Sequence, residues 1–106
     1  MDNLDDYDES LADHFKTIDR LFKKSKTANE GDKLSFLSQI KKSLRAARED
    51  LVFYKQELFN IPKGTKKDIE DSYRSKYSSY QEKVTNYERE TKRLELTIRG
   101  DEVGLL

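Results

Sequence analysis

Between Leu37 and Leu58, apolar residues recur at Leu37, Ile40, Leu44, Ala47, Leu51, Tyr54 and Leu58, in alternating steps of three and four without an error. That spacing holds one stripe of an α-helix in a constant direction, whereas a strand shows a period of two. The segment is predicted to be a helix packed along its whole length, with the stripe at the a and d positions of a heptad. Both flanking segments carry the same spacing. Leu4, Tyr7, Leu11, Phe15, Ile18 and Phe22 precede it with Leu21 alongside, and Ile69, Tyr73, Tyr77, Tyr80, Val84, Tyr87, Thr91, Leu94 and Ile98 follow it.

The breaks between these stripes use ordinary turn chemistry. The first falls at Thr27-Ala28-Asn29-Glu30-Gly31-Asp32. The second falls at Ile61-Pro62-Lys63-Gly64, where Pro62 disfavours a helical residue before it and Gly64 frees the turn. Thr65 is expected to cap the third helix, with Asp68 three residues on. Gly100 is expected to end it, and Glu88 with Lys92 and Glu95 with Arg99 stand at ion-pair spacing on its wet face. These signals place helices at about 4–27, 33–61 and 66–99, the second roughly 40 Å long at 1.5 Å per residue.

Three amphipathic helices with short connections have one economical arrangement, an antiparallel up-down-up bundle in which each stripe faces the other two. The expected fold class is therefore all-α, with residues 1–99 as a single three-helix bundle and 100–106 as a tail or the start of a linker. Composition agrees, with 34% hydrophobic residues, 40% charged residues, four glycines and one proline. Leu, Ile, Val and Phe number 25 of 106, close to the level below which a chain cannot bury enough to order itself. The apolar residues must therefore sit mostly on the seams.

The zero net charge conceals a gradient. Residues 1–13 carry six acids and no base, residues 14–67 carry 14 bases and six acids, and residues 68–106 carry seven bases and nine acids. A basic middle of that size suits RNA, anionic lipid or an acidic protein surface, and it also suits a solvated helix face. The acidic start is the opposite of a signal or transit peptide, and no apolar run reaches the length of a membrane span. The absence of cysteine leaves no disulfide framework and no thiolate metal site.

Catalytic chemistry has little to stand on. His14 is the sole histidine, and it lies inside the first helix with no nucleophile elbow around it. Asp2, Asp5, Asp6, Asp8 and Glu9 are dense but lack the glycine and spacing of a calcium loop, so no metal or cofactor is expected. Tyr73, Tyr77, Tyr80 and Tyr87 run beside Arg74 and Lys76, a mixture that can stack on single-stranded nucleic acid. The same tyrosines form the seam of the third helix, which makes them core residues first. Arg99-Gly100-Asp101 matches an integrin tripeptide by chance, and Asp101-Glu102-Val103-Gly104-Leu105-Leu106 has the form of an acidic dileucine sorting signal but reads as a frayed terminus. On the heptad of the second helix Val52 and Phe59 fall at b and Phe53 at c, off the seam, while Phe36 at g flanks it. Val52, Phe53 and Phe59 are therefore either a partner-binding patch or residues that pack under the loop or the neighbouring helix.

Several stretches resemble one known family. Asp13-His14-Phe15-Lys16-Thr17-Ile18-Asp19-Arg20-Leu21-Phe22 resembles the opening helix of the N-terminal, Habc-like domain of Vti-type Qb-SNAREs. Glu57-Leu58-Phe59-Asn60-Ile61-Pro62 is similar to that family's second helix end, and Tyr73-Arg74-Ser75-Lys76-Tyr77-Ser78-Ser79-Tyr80-Gln81-Glu82-Lys83 to its third helix. Lys92-Arg93 and the Gly-Asp-Glu-Val-Gly-Leu-Leu end resemble its run into the linker before the SNARE motif. Between Pro62 and Tyr73 the chain departs from the family by a longer turn and helix start.

The resemblance implies a non-catalytic domain of a SNARE in vesicle transport and membrane fusion between Golgi, trans-Golgi network and endosomes. It implies an ENTH-type, epsin-related sorting adaptor as partner, and other SNAREs in the full-length protein. The domain would be monomeric and soluble on the cytoplasmic face of those membranes, with a SNARE motif and anchor expected after Leu106. The expected docking residues are Val52, Phe53 and Phe59 together with the turn residues Pro62, Lys63, Gly64 and Thr65. Nucleic acid is not an expected partner. The competing readings are a basic helical module for RNA or anionic lipid, and a self-associating coiled-coil spacer.

Overall fold

In the computed structural model, which describes residues 2–103 and side chains as far as residue 100, the chain forms three α-helices. They are α1 (Asp2–Lys26), α2 (Glu30–Phe59) and α3 (Lys67–Val103), packed into a rod of 63 × 19 × 17 Å. No strand is present among the described residues. Cross-helix partners fix the topology. Ser10 of α1 meets Asp50 of α2 and Tyr7 meets Phe53, so α1 and α2 are antiparallel. Arg48 meets Glu88 and Lys41 meets Glu95, so α2 and α3 are also antiparallel. Asp5, Asp8 and Asp19 meet Tyr73, Tyr80 and Tyr87 in ascending order, so α1 and α3 run parallel.

Each predicted stripe is the packed face of its helix, except that Ile69 at the start of the third stripe is exposed. Leu4, Leu11, Phe15, Ile18 and Leu21 of α1 pack with Ile40, Leu44, Ala47, Leu51, Tyr54 and Leu58 of the α2 stripe, and Val84 and Tyr87 of α3 close the core. Tyr7, Phe22, Phe36, Tyr73, Tyr77, Tyr80 and Leu94 pack half-buried around it. The α1/α2 contact is the closest, because leucine, alanine and isoleucine let the two backbones approach. The backbones of α1 and α3 stand further apart, and tyrosine rings bridge them.

The helix ends differ from the sequence expectation in ways that trace to single side chains. α2 begins at Glu30, three residues before the expected start, because the Asn29 side chain accepts a hydrogen bond from the Asp32 amide at 2.8 Å. That is the N-cap bond, and Gly31 inside the first turn does not prevent it. α2 closes at Phe59, with the Asn60 amide donating to the carbonyls of Glu57 and Leu58, so Ile61 lies outside it. Thr65 is not the cap of α3. Its hydroxyl donates to the Pro62 carbonyl at 2.7 Å, and α3 starts at Lys67 with the Ile69 and Glu70 amides both 3.1 Å from the Lys66 carbonyl.

At the far end α3 runs through Gly100 to Val103. Glycine in a helix interior costs about 1 kcal/mol relative to alanine, which is not enough to stop a helix already packed through Ile98. The expected helix end at Gly100 is therefore corrected to Val103, and residues 104–106, including the dileucine, lie outside the described residues.

Tyr54 lies in the core towards the end of the rod that carries the Pro62 turn. It is fully buried, with its ring stacked 6.0 Å from Tyr77 and edge-on 5.7 Å from Tyr80. Its hydroxyl has no hydrogen-bond partner, although Asp8 faces it. The neighbouring Tyr80 hydroxyl, in contrast, donates to Asp8 at 2.7 Å. Removing a buried unpaired hydroxyl removes a desolvation penalty, and removing a paired one strands its acceptor. Tyr54→Phe should therefore leave stability unchanged or raise it by up to about 1 kcal/mol, while Tyr80→Phe should lower it by about 1 kcal/mol. Urea unfolding measures both, and equal losses in the two variants would show that the Tyr54 hydroxyl is bonded after all.

Candidate docking surfaces

The residues that resemble catalytic machinery lie between α1 and α2. His14 Nε2 is 3.3 Å from Asp50 Oδ2 and 3.4 Å from Ser10 Oγ, and the Ser10 hydroxyl donates to Asp50. A Ser-His-Asp relay needs serine and aspartate on opposite ring nitrogens, with the serine proton directed at the imidazole. Here both partners share Nε2, and the serine proton is already committed to the carboxylate. All three residues lie within helices, where the backbone amides are engaged in the helix ladder. The arrangement fastens α1 to α2. Among the described residues no group of three or more His, Cys, Asp or Glu side chains converges as a metal site.

The apolar patch divides in two. Val52 and Phe59 are one heptad apart on the same edge of α2 and are 57% and 75% exposed. They line a groove of about 600 Å³ between α2 and α3, whose floor is Leu51, Tyr77 and Val84 and whose rim is Arg48, Lys55, Gln56, Gln81 and Thr85. Phe53 lies about 100° around the helix and stacks on Tyr7 of α1, with ring centroids 6.0 Å apart and planes 14° apart. It belongs to the α1/α2 edge, so the three residues expected to form one patch lie on two faces.

The turn at the end of the rod is closed by two hydrogen bonds to the Pro62 carbonyl. The Thr65 amide donates to the Pro62 carbonyl at 3.2 Å, and Gly64 takes φ +92°, a left-handed value that an L side chain adopts only under strain. Pro62, Lys63 and Gly64 are exposed and Thr65 is half-buried. A second cleft beside them is formed by Asp2, Asn3, Leu4, Glu57, Asn60, Ile61 and Pro62. The turn residues and Phe59 thus share one end of the rod, while Val52 lies two helical turns further along α2.

Sequence reasoning missed the charges along the groove. Lys41, Arg48 and Lys55 recur every seven residues on the α2 edge that faces α3, a basic heptad position readable beside the apolar one. It was also unexpected that Glu88 pairs across the groove with Arg48 at 3.4 Å instead of along its own helix with Lys92. Glu95 does both, meeting Lys41 at 3.3 Å and Arg99 at 3.2 Å.

On the opposite side, between α1 and α3, three phenols form a ladder. Tyr73, Tyr80 and Tyr87, each seven residues from the next, donate to Asp5, Asp8 and Asp19 at 2.7 Å in every case. Lys76 adds a contact to Asp8 at 3.3 Å. The bond donated to Asp5, then burial, then the charges of Asp5, Asp8 and Asp2, push Tyr73 up to about 12. Burial first, then the bond to its carboxylate, raises Tyr80 and Tyr87 as well.

A phenol whose pKa is raised on folding stabilises the folded state fully below its unfolded value near 10, and that contribution is lost as pH climbs through the folded value. The half-buried Tyr73 rung should therefore weaken between about pH 10 and about pH 12, ahead of the Tyr80 and Tyr87 rungs. Absorbance at 295 nm should show phenolate forming late, with helicity falling in the same range. If the phenolate signal that Tyr73→Phe removes is centred near pH 10 instead of about pH 12, the bond to Asp5 is absent.

Compared with protein-family models, with curated proteins and with solved structures, the chain matches none.

Proposed function

We propose that the chain is a non-catalytic docking domain, of the kind that stands N-terminal to the SNARE motif in Vti-type SNAREs and regulates vesicle transport between Golgi, trans-Golgi network and endosomes. The observation that carries this reading is the exposure of large apolar residues on a rigid helical frame, with Phe59 at 75% beside the fixed Pro62–Thr65 turn. The all-α up-down-up fold is the one the resemblance implies. A rigid surface of this kind suits recognition by shape, with moderate affinity and little rearrangement.

The partner under this reading is an ENTH-type sorting adaptor, met by the turn residues Pro62, Lys63, Gly64 and Thr65 together with Phe59, Val52 and, on the adjoining edge, Phe53. Other SNAREs would be partners of the full-length protein. No helix among the described residues is long and apolar enough to cross a membrane, so a membrane-spanning anchor in this reading lies outside them. Because Phe53 supports Tyr7, Phe53→Asp would disturb packing as well as binding. Lys63→Glu on the turn is a cleaner probe.

An immobilised ENTH-type domain should capture the chain with an affinity of roughly 1 to 100 µM. Lys63→Glu should weaken capture at least about threefold with the far-UV circular dichroism unchanged. Absence of capture at several hundred micromolar would remove the adaptor from the reading.

A further inference from the structure

Apolar exposure and unbalanced charge coincide in the groove between α2 and α3. Its two acids, Glu88 and Glu95, are engaged by Arg48 and Lys41. Arg45 and Lys92 line a second cleft further along the same α2/α3 face, beyond the Arg48–Glu88 pair, and Lys55 stands next to Phe59; none of the three has a carboxylate partner among the described residues. The surplus is therefore positive at both ends of an apolar strip formed by Val52, Phe59, Leu51 and Val84. We infer that this groove receives an acidic amphipathic helix of a partner protein, its apolar edge on Val52 and Phe59 and its carboxylates on Lys55 at one end and Arg45 and Lys92 at the other. The inference rests on the docking-domain reading and supplies its face and the chemistry of its partner.

Three observations select a helix of that chemistry. First, α2 and α3 satisfy their own backbone groups, so an extended peptide finds no sheet edge to pair with, whereas a helix brings its hydrogen bonds with it. Second, the face between antiparallel α2 and α3 accepts a further helix along it, seated on the apolar cleft and passing over the Arg48–Glu88 and Lys41–Glu95 pairs. Third, the span from Phe59 to Arg45 is about 21 Å at 1.5 Å per residue, the length of about four helical turns. A flat anionic bilayer could meet the lysines, but it would not reach the concave apolar floor.

The charge pattern also gives the partner a polarity. Leucine-sized anchors belong at the Phe59 end, where Phe59 and Val52 stand exposed over Tyr77 and Val84. Acids without large anchors belong at the Arg45 end, where the lining is Lys41, Leu44, Arg45, Arg48, Glu88, Thr91, Lys92 and Glu95.

The test uses a fluorescein-labelled helical peptide of about 20 residues, with leucines at every third and fourth position and glutamates flanking them. Fluorescence anisotropy with the whole chain should show saturable binding, weakened at least about tenfold by Phe59→Ser and by Lys55→Glu. Both positions are exposed, so both variants should keep their helicity. A peptide with lysines in place of the glutamates should bind the original chain poorly and bind Lys55→Glu better than the glutamate peptide does. Amide chemical shifts should move at Val52, Phe59, Gln81 and Thr85.

Equal binding of both peptides, shifts confined to α1, or no saturation below about 1 mM would overturn the proposal. So would binding to phosphatidylserine vesicles that Lys55→Glu abolishes and Phe59→Ser leaves unchanged, because that is a membrane surface and not a groove. If the peptide seats in the groove while the ENTH-type domain is not captured, the groove stands and the adaptor reading falls. If the adaptor is captured and the peptide ignores the groove, the reverse holds.

Discussion

The bundle depends on how α3 is held to α1 across a gap that backbone packing does not close. Leucines and an alanine bring α1 and α2 together, but on the third side the chain has mostly tyrosines to offer. A phenol spans the distance and covers the core with its ring, and its hydroxyl needs an acceptor at the far edge. Asp5, Asp8 and Asp19 supply acceptors in register with Tyr73, Tyr80 and Tyr87. A slip of one residue along α3 would turn all three hydroxyls about 100° away from α1. The ladder therefore contributes register as much as stability. This is the use of polar groups at a helix interface for which the physical case is strongest, since each such bond adds only about 1 kcal/mol net.

Tyr54 follows from the same arrangement. Enclosing its ring between Tyr77 and Tyr80 gives a dense aromatic centre, and Asp8 already receives Tyr80 and Lys76. The hydroxyl of Tyr54 is left over. Burial, with the charge of Asp8 behind it, pushes its ionisation well above that of a free phenol, so it stays neutral throughout the physiological range. The core gains a large apolar face and carries one unpaired hydroxyl in exchange.

Much of this architecture was legible in the apolar spacing. The α2 stripe is buried residue for residue, and the tyrosines of α3 are core residues before they are anything else. The ends were less legible because each is decided by one side chain whose alternatives look equally good on paper. Thr65 could cap α3 or bond back to Pro62, and it does the latter. Asn29 could sit in a loop or cap α2, and it caps. The site was legible in part, since the b and c heptad positions flagged Val52, Phe59 and Phe53 as off the seam. Whether those residues shared a face depended on where α1 and α3 sat around α2, and Tyr7 took Phe53 to the other edge. Ser10, His14 and Asp50 come together from two helices, which no spacing along one helix shows.

The parallel course of α1 and α3 has an electrostatic consequence. Two helices that start at the same end of a rod present the positive poles of two macrodipoles side by side, which is unfavourable by itself. Asp2, Asp5 and Asp8 stand at that end within reach of both, and Asp5 and Asp8 contact α3 directly. The acidic opening that looks in sequence like a solvated leader thus serves as counter-charge for a helix that begins some sixty residues later. In this chain the long-range electrostatic order is written into its first nine residues.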